Sequence, residues 1–282
     1  MAAATSNEVQ TKLNYASYRD IGPQSQVSHI QISTSPPRFR RNYTFEERNV
    51  TIRDLRGQQD QFNLDMNGFQ ISSHSTSPDL DLNSDSSIRN IYYPEIIELV
   101  SKITKVAPEK IRPLCYTIRD SSANPPPVVD GPEGVVTGPW RAVHVDRTVE
   151  CVQNEEKTTE RVRHLSVWRP ILPIGQTVQH EPLAVADGTT SPPSSALLPL
   201  HMSVNGGTYT GLLYPSGLVD SGSYSDQWYY LSAQTSEEVT IIKNCDSQPP
   251  QNGAKLCLHS SFGVPTAGVT RRSINVNVLV VG

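Results

Sequence analysis

No stretch of this 282-residue chain is apolar for the length needed to span a bilayer, so a helical membrane protein is not expected. A basic block is missing too. Lys and Arg number 24 against 28 Asp and Glu, a net charge of −4, which leaves nucleic acid no electrostatic footprint. The opening residues, Met1 to Lys12, are polar and lack the apolar core of a secretion signal. Cysteine is scarce: Cys115, Cys151, Cys245 and Cys257 follow no CxxC or disulfide-framework spacing and are expected to be reduced thiols of a cytoplasmic protein. The distance between Cys245 and the Cys257/His259 pair also argues against a closed structural zinc site. There is no GxSxG elbow for a hydrolase nucleophile, and no glycine-rich phosphate loop follows a strand.

Proline is what the chain has in quantity. Twenty-two prolines argue against a helical bundle and for short strands joined by irregular loops. Residues 1–38 are rich in Ser and Gln and read as a poorly ordered arm, leaving 39–282 as a single domain. Asn49 to Phe69 alternates as a small hairpin region would. Tyr93 to Val106 carries Ile96, Ile97, Val100 and Ile103 at helical spacing, with Pro94 in the first turn. A second helix is expected around Glu155 to Val162. Strands are expected at Leu165–Trp168, Leu183–Ala186, Thr208–Leu213, Val239–Lys243 and Ser273–Val281. Two polar loops, Ser72 to Ser87 and Asn124 to Gly138, are longer than connectors need to be and are expected to act as covers. The sum is a mainly β protein with flanking helices, of the jelly-roll, cupin-like type, its core running from about 140 to 282.

The strongest local signal is Ala142-Val143-His144-Val145-Asp146. Residues two apart on a strand share a face, so His144 and Asp146 point the same way. An imidazole and a carboxylate make two thirds of the facial triad that leaves iron(II) open positions for co-substrate and oxygen. HxD matches arise often by chance, and a surface strand with an incidental His and Asp is the bland alternative. The third ligand is sought downstream, and His259 in Leu256-Cys257-Leu258-His259-Ser260 is the best placed. His29, His74, His180 and His201 lie in loop-like text, and His164 has no anion-binding residue at a useful distance after it. Twelve residues beyond His259, Arg271-Arg272-Ser273 opens the last strand. Arg271, Ser273, Asn275 and Asn277 share one polar face, and Ile274, Val276, Val278 and Val280 the opposite, packing face. A guanidinium with a hydroxyl beside it suits the far carboxylate of a dicarboxylate, so parity selects Arg271 over Arg272. A polar edge strand facing solvent is the competing account.

Several segments together resemble a fungal family of non-haem iron(II)/2-oxoglutarate-dependent oxygenases that includes gibberellin desaturase, aspergillic acid hydroxylase and cephamycin methoxylation subunit-like proteins. They include Ile52-Arg53-Asp54-Leu55-Arg56-Gly57, Thr117-Ile118-Arg119, Val143-His144-Val145-Asp146, Val167-Trp168-Arg169-Pro170, Trp228-Tyr229-Tyr230-Leu231, His259-Ser260-Ser261-Phe262 and Arg271-Arg272-Ser273-Ile274. The resemblance runs from about Asn49 to the C-terminus. It implies a double-stranded β-helix that takes iron(II), 2-oxoglutarate and O2, and oxidises a small secondary-metabolite or amino-acid-derived substrate by hydroxylation, desaturation or oxidative cyclisation. The alternative is a non-oxidative member of the same fold: a partner subunit, binding protein or cyclase. The expected partner is a small molecule rather than nucleic acid or membrane, and a homodimer is allowed. Family members often end in an Ile-Glu-Val-Arg strand where this chain has Ile274-Asn275-Val276-Asn277, so an acid and a base on the cavity face are amides here. Arg169, between Trp168 and Pro170, is expected to be buried and to need an anion: a structural carboxylate such as Asp187 or Asp246, or a carboxylate of 2-oxoglutarate or substrate.

Overall fold

A computed structural model describes residues 8–17, 28–31, 40–41, 43–122, 136–204, 207–263 and 270–282. Its strands, in chain order, are β1 (Glu8–Ser17), β2 (Ser28–Gln31), β3 (Arg40–Arg41), β4 (Thr44–Asp54), β5 (Phe69–Ser73), β6 (Ile111–Asp120), β7 (Val136–Thr137) and β8 (His144–Val145). They continue as β9 (Val162–Pro170), β10 (Leu183–Ala186), β11 (Leu198–Val204), β12 (Gly207–Leu213), β13 (Trp228–Tyr230), β14 (Glu238–Asp246), β15 (His259–Ser261) and β16 (Arg272–Val281). Ten of them form one sheet in the order β1-β4-β13-β10-β15-β8-β12-β11-β2-β3, and six form a second in the order β5-β14-β9-β16-β6-β7. The expected mainly β architecture is what the chain adopts.

Alternation decides the layers. On β16, Ile274, Val276, Val278 and Val280 join Leu165 and Val167 of β9 and Val239 and Ile241 of β14 in one cluster. That cluster is closed by Ile88, Tyr92, Ile96, Leu99 and Val100 of a helical stretch running from Asp85 to Thr104, in which Ile88–Tyr92 is a π-turn. The opposite residues of the same strands, Trp168, Ile242 and Asn275, face a cavity that His144 and His259 of the larger sheet also line. Helix, six-stranded sheet, cavity and ten-stranded sheet therefore stack in that order. No helix among the described residues is long and apolar enough to cross a membrane.

Four expectations change. The N-terminal arm is not loose at Glu8–Ser17, which pairs with β4 along its whole length and buries Leu13 and Tyr15. Val9, Thr11, Leu13 and Tyr15 alternate, and that period was hidden by polar composition. Asn49 to Phe69 is no hairpin: β4 stays in the large sheet, and the chain crosses to β5 in the other sheet through a short 3-10 turn, Gln59–Gln61, and a helical turn, Leu64–Asn67. Asn63 caps that turn by accepting from the Met66 amide, and Gly68 leaves it in the left-handed region at φ 82°. The second helix lies earlier than expected, at Val149–Glu156, because the Thr148 hydroxyl caps the Cys151 amide (3.2 Å) and Val162 begins the fully buried β9. The loop from Ser72 to Ser87 supplies no residue to the cavity; its Leu80 and Leu82 pack on the helix-side cluster instead. Of the other expected cover, Asn124 to Gly138, residues 124–135 lie outside the described residues, and Val136–Thr137 runs parallel to β6.

A glycine shapes the approach to the site. A Cβ on Gly211 of β12 would lie 2.6 Å from the Val145 carbonyl oxygen and 2.9 Å from that of Asp146. No real side chain sits so close to backbone, so β12 presses on the His144–Asp146 segment only because residue 211 lacks one. Gly211→Ala is expected to push Asp146 out of place and to weaken divalent-metal binding at least roughly tenfold, as loss of a supporting contact at a metal site does. Cobalt(II) titration of the folded variant is the check, and native affinity would sink the idea.

Candidate metal and co-substrate site

His144 and His259 are direct partners across the β8–β15 pairing, with ring centroids 4.2 Å apart. Asp146 follows His144 by two residues, just past the end of β8. Its Oδ1 is 3.3 Å from His144 Nε2 and 4.0 Å from His259 Nε2, and one ligand atom from each of the three lies within 4.8 Å of the others. Both rings are oriented by the same device: Nδ1 bonds the carbonyl two residues back, Ala142 O at 2.7 Å for His144 and Cys257 O at 3.2 Å for His259. A carbonyl can only accept, so each Nδ1 carries the hydrogen, and in the neutral ring each Nε2 offers a lone pair to the centre.

The protonation states suit a cation. Burial pushes the His259 imidazole down to about 4, helped by His144 and opposed by Asp146, so the ring is neutral at neutral pH. Burial alone would raise the Asp146 carboxyl, but electrostatic interaction with the neighbouring histidines outweighs that and holds it well below the usual carboxylate range. Two imidazoles and one carboxylate facing a common point are the donor set of a facial triad, and the residues fit iron(II).

Arg271 precedes β16 and lines the same cavity, 3% exposed, with its guanidinium carbon 5.5 Å from the Trp168 ring centre. Nη1 donates to the Glu181 carbonyl, and Nε has no partner among the described residues. Burial, then Arg119 and Arg141, push its pKa down to about 9, so it remains a cation at neutral pH. The Glu181 carboxylate is already engaged, because it pairs with Arg141 and accepts from Ser261 Oγ at 3.3 Å. A buried cation without an anion is costly unless a ligand supplies one. Ser273 Oγ is likewise buried without a partner among the described residues.

Arg169 is not brought to this cavity. On β9 the inward residues are Ser166 and Trp168, so Arg169 points to the helix layer. There it donates to Tyr92 Oη (3.0 Å) and to the carbonyls of His74 (3.0 Å) and Ser236 (2.6 Å). Asp187 and Asp246, the structural carboxylates the sequence had suggested, are not its partners, and Asp246 is bound by Arg161 and Lys243. Backbone carbonyls satisfy the guanidinium without a counter-ion. Arg169→Met leaves Tyr92 Oη, the His74 and Ser236 carbonyls and His74 Nδ1 without this donor and is expected to cost roughly 3 kcal/mol of stability, with the 2-oxoglutarate and substrate KM of the folded variant unchanged. Thermal melts beside steady-state kinetics check this; a KM change at native stability would contradict it.

Sequence reasoning missed Arg119, Trp140, Leu183, Ile242, Ser260 and Ser261 as lining residues. Trp140 stands with its ring centroid 3.8 Å from that of His144. Ser260 and Ser261 follow His259 directly, which was the available signal.

The oxidoreductase/YMDC permease-like domain family matches residues 13–281. The chain belongs to that family. It is 29% identical over 284 residues to the Fe(II)/2-oxoglutarate-dependent dioxygenase nvfI of Aspergillus novofumigatus, covering 93% of each chain. It is 27% identical to the hydroxylase/desaturase efuI of Hormonema carpetanum, covering 99% of this chain and 97% of that one. Its structure superposes on the iron and alpha-ketoglutarate-dependent endoperoxidase NvfI with a TM-score of 0.75 at 25% identity, covering 98% of both chains. The protein is thus an iron(II)/2-oxoglutarate-dependent oxygenase of fungal type, an enzyme that needs iron(II), 2-oxoglutarate and O2 and acts on a small molecule.

Proposed function

We propose that this single-domain oxygenase oxidises a C–H bond of a small secondary metabolite, with His144, Asp146 and His259 holding iron(II) and Arg271 and Ser273 holding the distal carboxylate of 2-oxoglutarate. The observation that carries the reading is the pairing, in one cavity, of an inward-facing two-imidazole, one-carboxylate set with a buried arginine whose Nε has no partner among the described residues. Bound iron(II) with 2-oxoglutarate and O2 supplies the oxidising power: 2-oxoglutarate leaves as succinate and carbon dioxide while the substrate is hydroxylated, desaturated or closed into a ring. The chain's own part is geometric. The Nδ1–carbonyl bonds hold both imidazoles with Nε2 inward, and Arg271 sets the direction from which a dicarboxylate enters. Trp140 and Trp168 wall the cavity with apolar surface, which excludes water and strengthens the Arg271–carboxylate attraction. The names borne by relatives, hydroxylase/desaturase and endoperoxidase, mark a family that directs one oxidant to several outcomes. None of the four cysteines forms a disulfide among the described residues, in keeping with a cytoplasmic enzyme. Anaerobic reconstitution with iron(II), followed by oxygen and a panel of small metabolites, is expected to give succinate coupled to oxidation of one of them. Absence of both metal binding and succinate formation would overturn the reading.

A further inference from the structure

Asp146 is held at its second oxygen by a closed ring of hydrogen bonds that the metal reading alone does not require. The Asp146 amide donates to Asn244 Oδ1 (2.9 Å), which fixes the Asn244 side chain so that its nitrogen faces Ser166. Asn244 Nδ2 then donates to Ser166 Oγ (2.9 Å), and Ser166 Oγ lies 2.9 Å from Asp146 Oδ2. Ser166 has one hydrogen and two candidate acceptors, because Asn277 Oδ1 is also 2.9 Å away. Asn277 Oδ1 already accepts from Asn275 Nδ2 at 3.2 Å, and a carboxylate is the stronger acceptor, so the serine hydrogen goes to Asp146. Ser166 and Asn244 are each 1% exposed, on β9 and β14, strands that otherwise pack the sheet. Three polar groups in such a place are retained at a desolvation penalty unless every partner is met, and here each meets the next.

From this ring we infer that Ser166, itself oriented by Asn244, is a positioning residue that makes Asp146 a one-oxygen metal ligand. The inference rests on the assignment of Asp146 as a ligand. The ring occupies Oδ2 and turns Oδ1 toward His144 and His259, the two nitrogens with which it must share an ion. Without the serine hydroxyl the carboxylate is free to rotate and to offer both oxygens, closing a position that the co-substrate needs. Asn277 Oδ1 takes its hydrogen bond from Asn275 Nδ2, which leaves the serine hydrogen to the stronger acceptor, Asp146.

The test is anaerobic titration of the purified protein with cobalt(II), reading affinity and the visible absorption of the bound ion. Ser166→Ala is expected to weaken cobalt(II) binding roughly ten- to hundredfold and to change the absorption, while Ser166→Thr, which keeps the hydroxyl, stays close to the native protein in both. If Ser166→Ala does not fold, Ser166→Cys, a near-isostere with a much weaker donor, is expected to show the same loss. Native affinity and native absorption in a folded Ala or Cys variant would overturn the inference. A purely structural serine would instead lower the melting temperature with the spectrum untouched, which also overturns it. Native cobalt(II) affinity in Asp146→Asn would overturn the ligand assignment itself, a result distinct from failure of the serine variants alone.

Discussion

Replacing His144 or His259 with alanine is expected to abolish metal binding and turnover together. On the proposed assignment each variant retains two of three ligands, whose donor atoms all lie within 4.8 Å of one another in the native protein. The loss should exceed the roughly ten- to hundredfold that follows removal of a supporting partner outside the metal's own ligands. A change in the unliganded fold is not needed to explain it, because among the described residues each ring is tied to the backbone by one hydrogen bond, from Nδ1 to a nearby carbonyl. Thermal melts separate the two causes. Ligand that binds only the folded state raises its melting temperature, so added cobalt(II) should stabilise the native protein and leave both variants unmoved. Turnover by either variant at the native rate without added imidazole would show that the ring is no ligand.

How much of this was legible beforehand depended on whether a strand has one buried face or two. Arg271 could be chosen over Arg272 because β16 alternates polar with apolar residues, and the structure turns Arg271 into the cavity and Ile274 away from it. The same reasoning could not orient Arg169, since all nine residues of β9 are buried and hydrophobicity carries no parity there. Its facing follows only from neighbours: β14 and β16 flank β9, and Tyr92 arrives from the helix. His144 and Asp146 share a side as expected, although β8 is only two residues long and Asp146 lies beyond it. Pairing of His144 with His259 was not readable at all, because it is made by strands more than a hundred residues apart. β1 shows a third limit. It reaches the site through the Val143 amide, which donates to Asn14 O at 2.9 Å, yet its polar composition hid the alternation that makes it a strand.

Arg271→Met is expected to raise the dissociation constant for 2-oxoglutarate roughly ten- to hundredfold, the equivalent of the about 1.5–3 kcal/mol carried by a charged hydrogen bond. Arg272→Ala is the internal control, since Arg272 points the other way and donates to Asn83 Oδ1 at 2.6 Å. Arg271→Lys should fall between, because an ammonium keeps the charge and loses the planar fork that meets a carboxylate with two parallel bonds. The stability of the unliganded protein gives a second, opposite expectation. Burial, with Arg119 and Arg141 nearby, lowers the affinity of Arg271 for its proton, so folding disfavours the charged form of this side chain. Removing that charge while keeping most of the volume should leave the melting temperature level or higher. A residue kept for structure would behave in reverse, with stability falling and ligand affinity unchanged. Anaerobic titration of 2-oxoglutarate into the metal-loaded variants, beside melts of the metal-free proteins, reads both quantities. If Arg272→Ala weakens 2-oxoglutarate more than Arg271→Met does, Arg271 is not the co-substrate's anchor. The expected pairing is the opposite, affinity lost at 271 without loss of stability, because the buried Arg271 Nε has no partner among the described residues while Arg272 is bonded to Asn83.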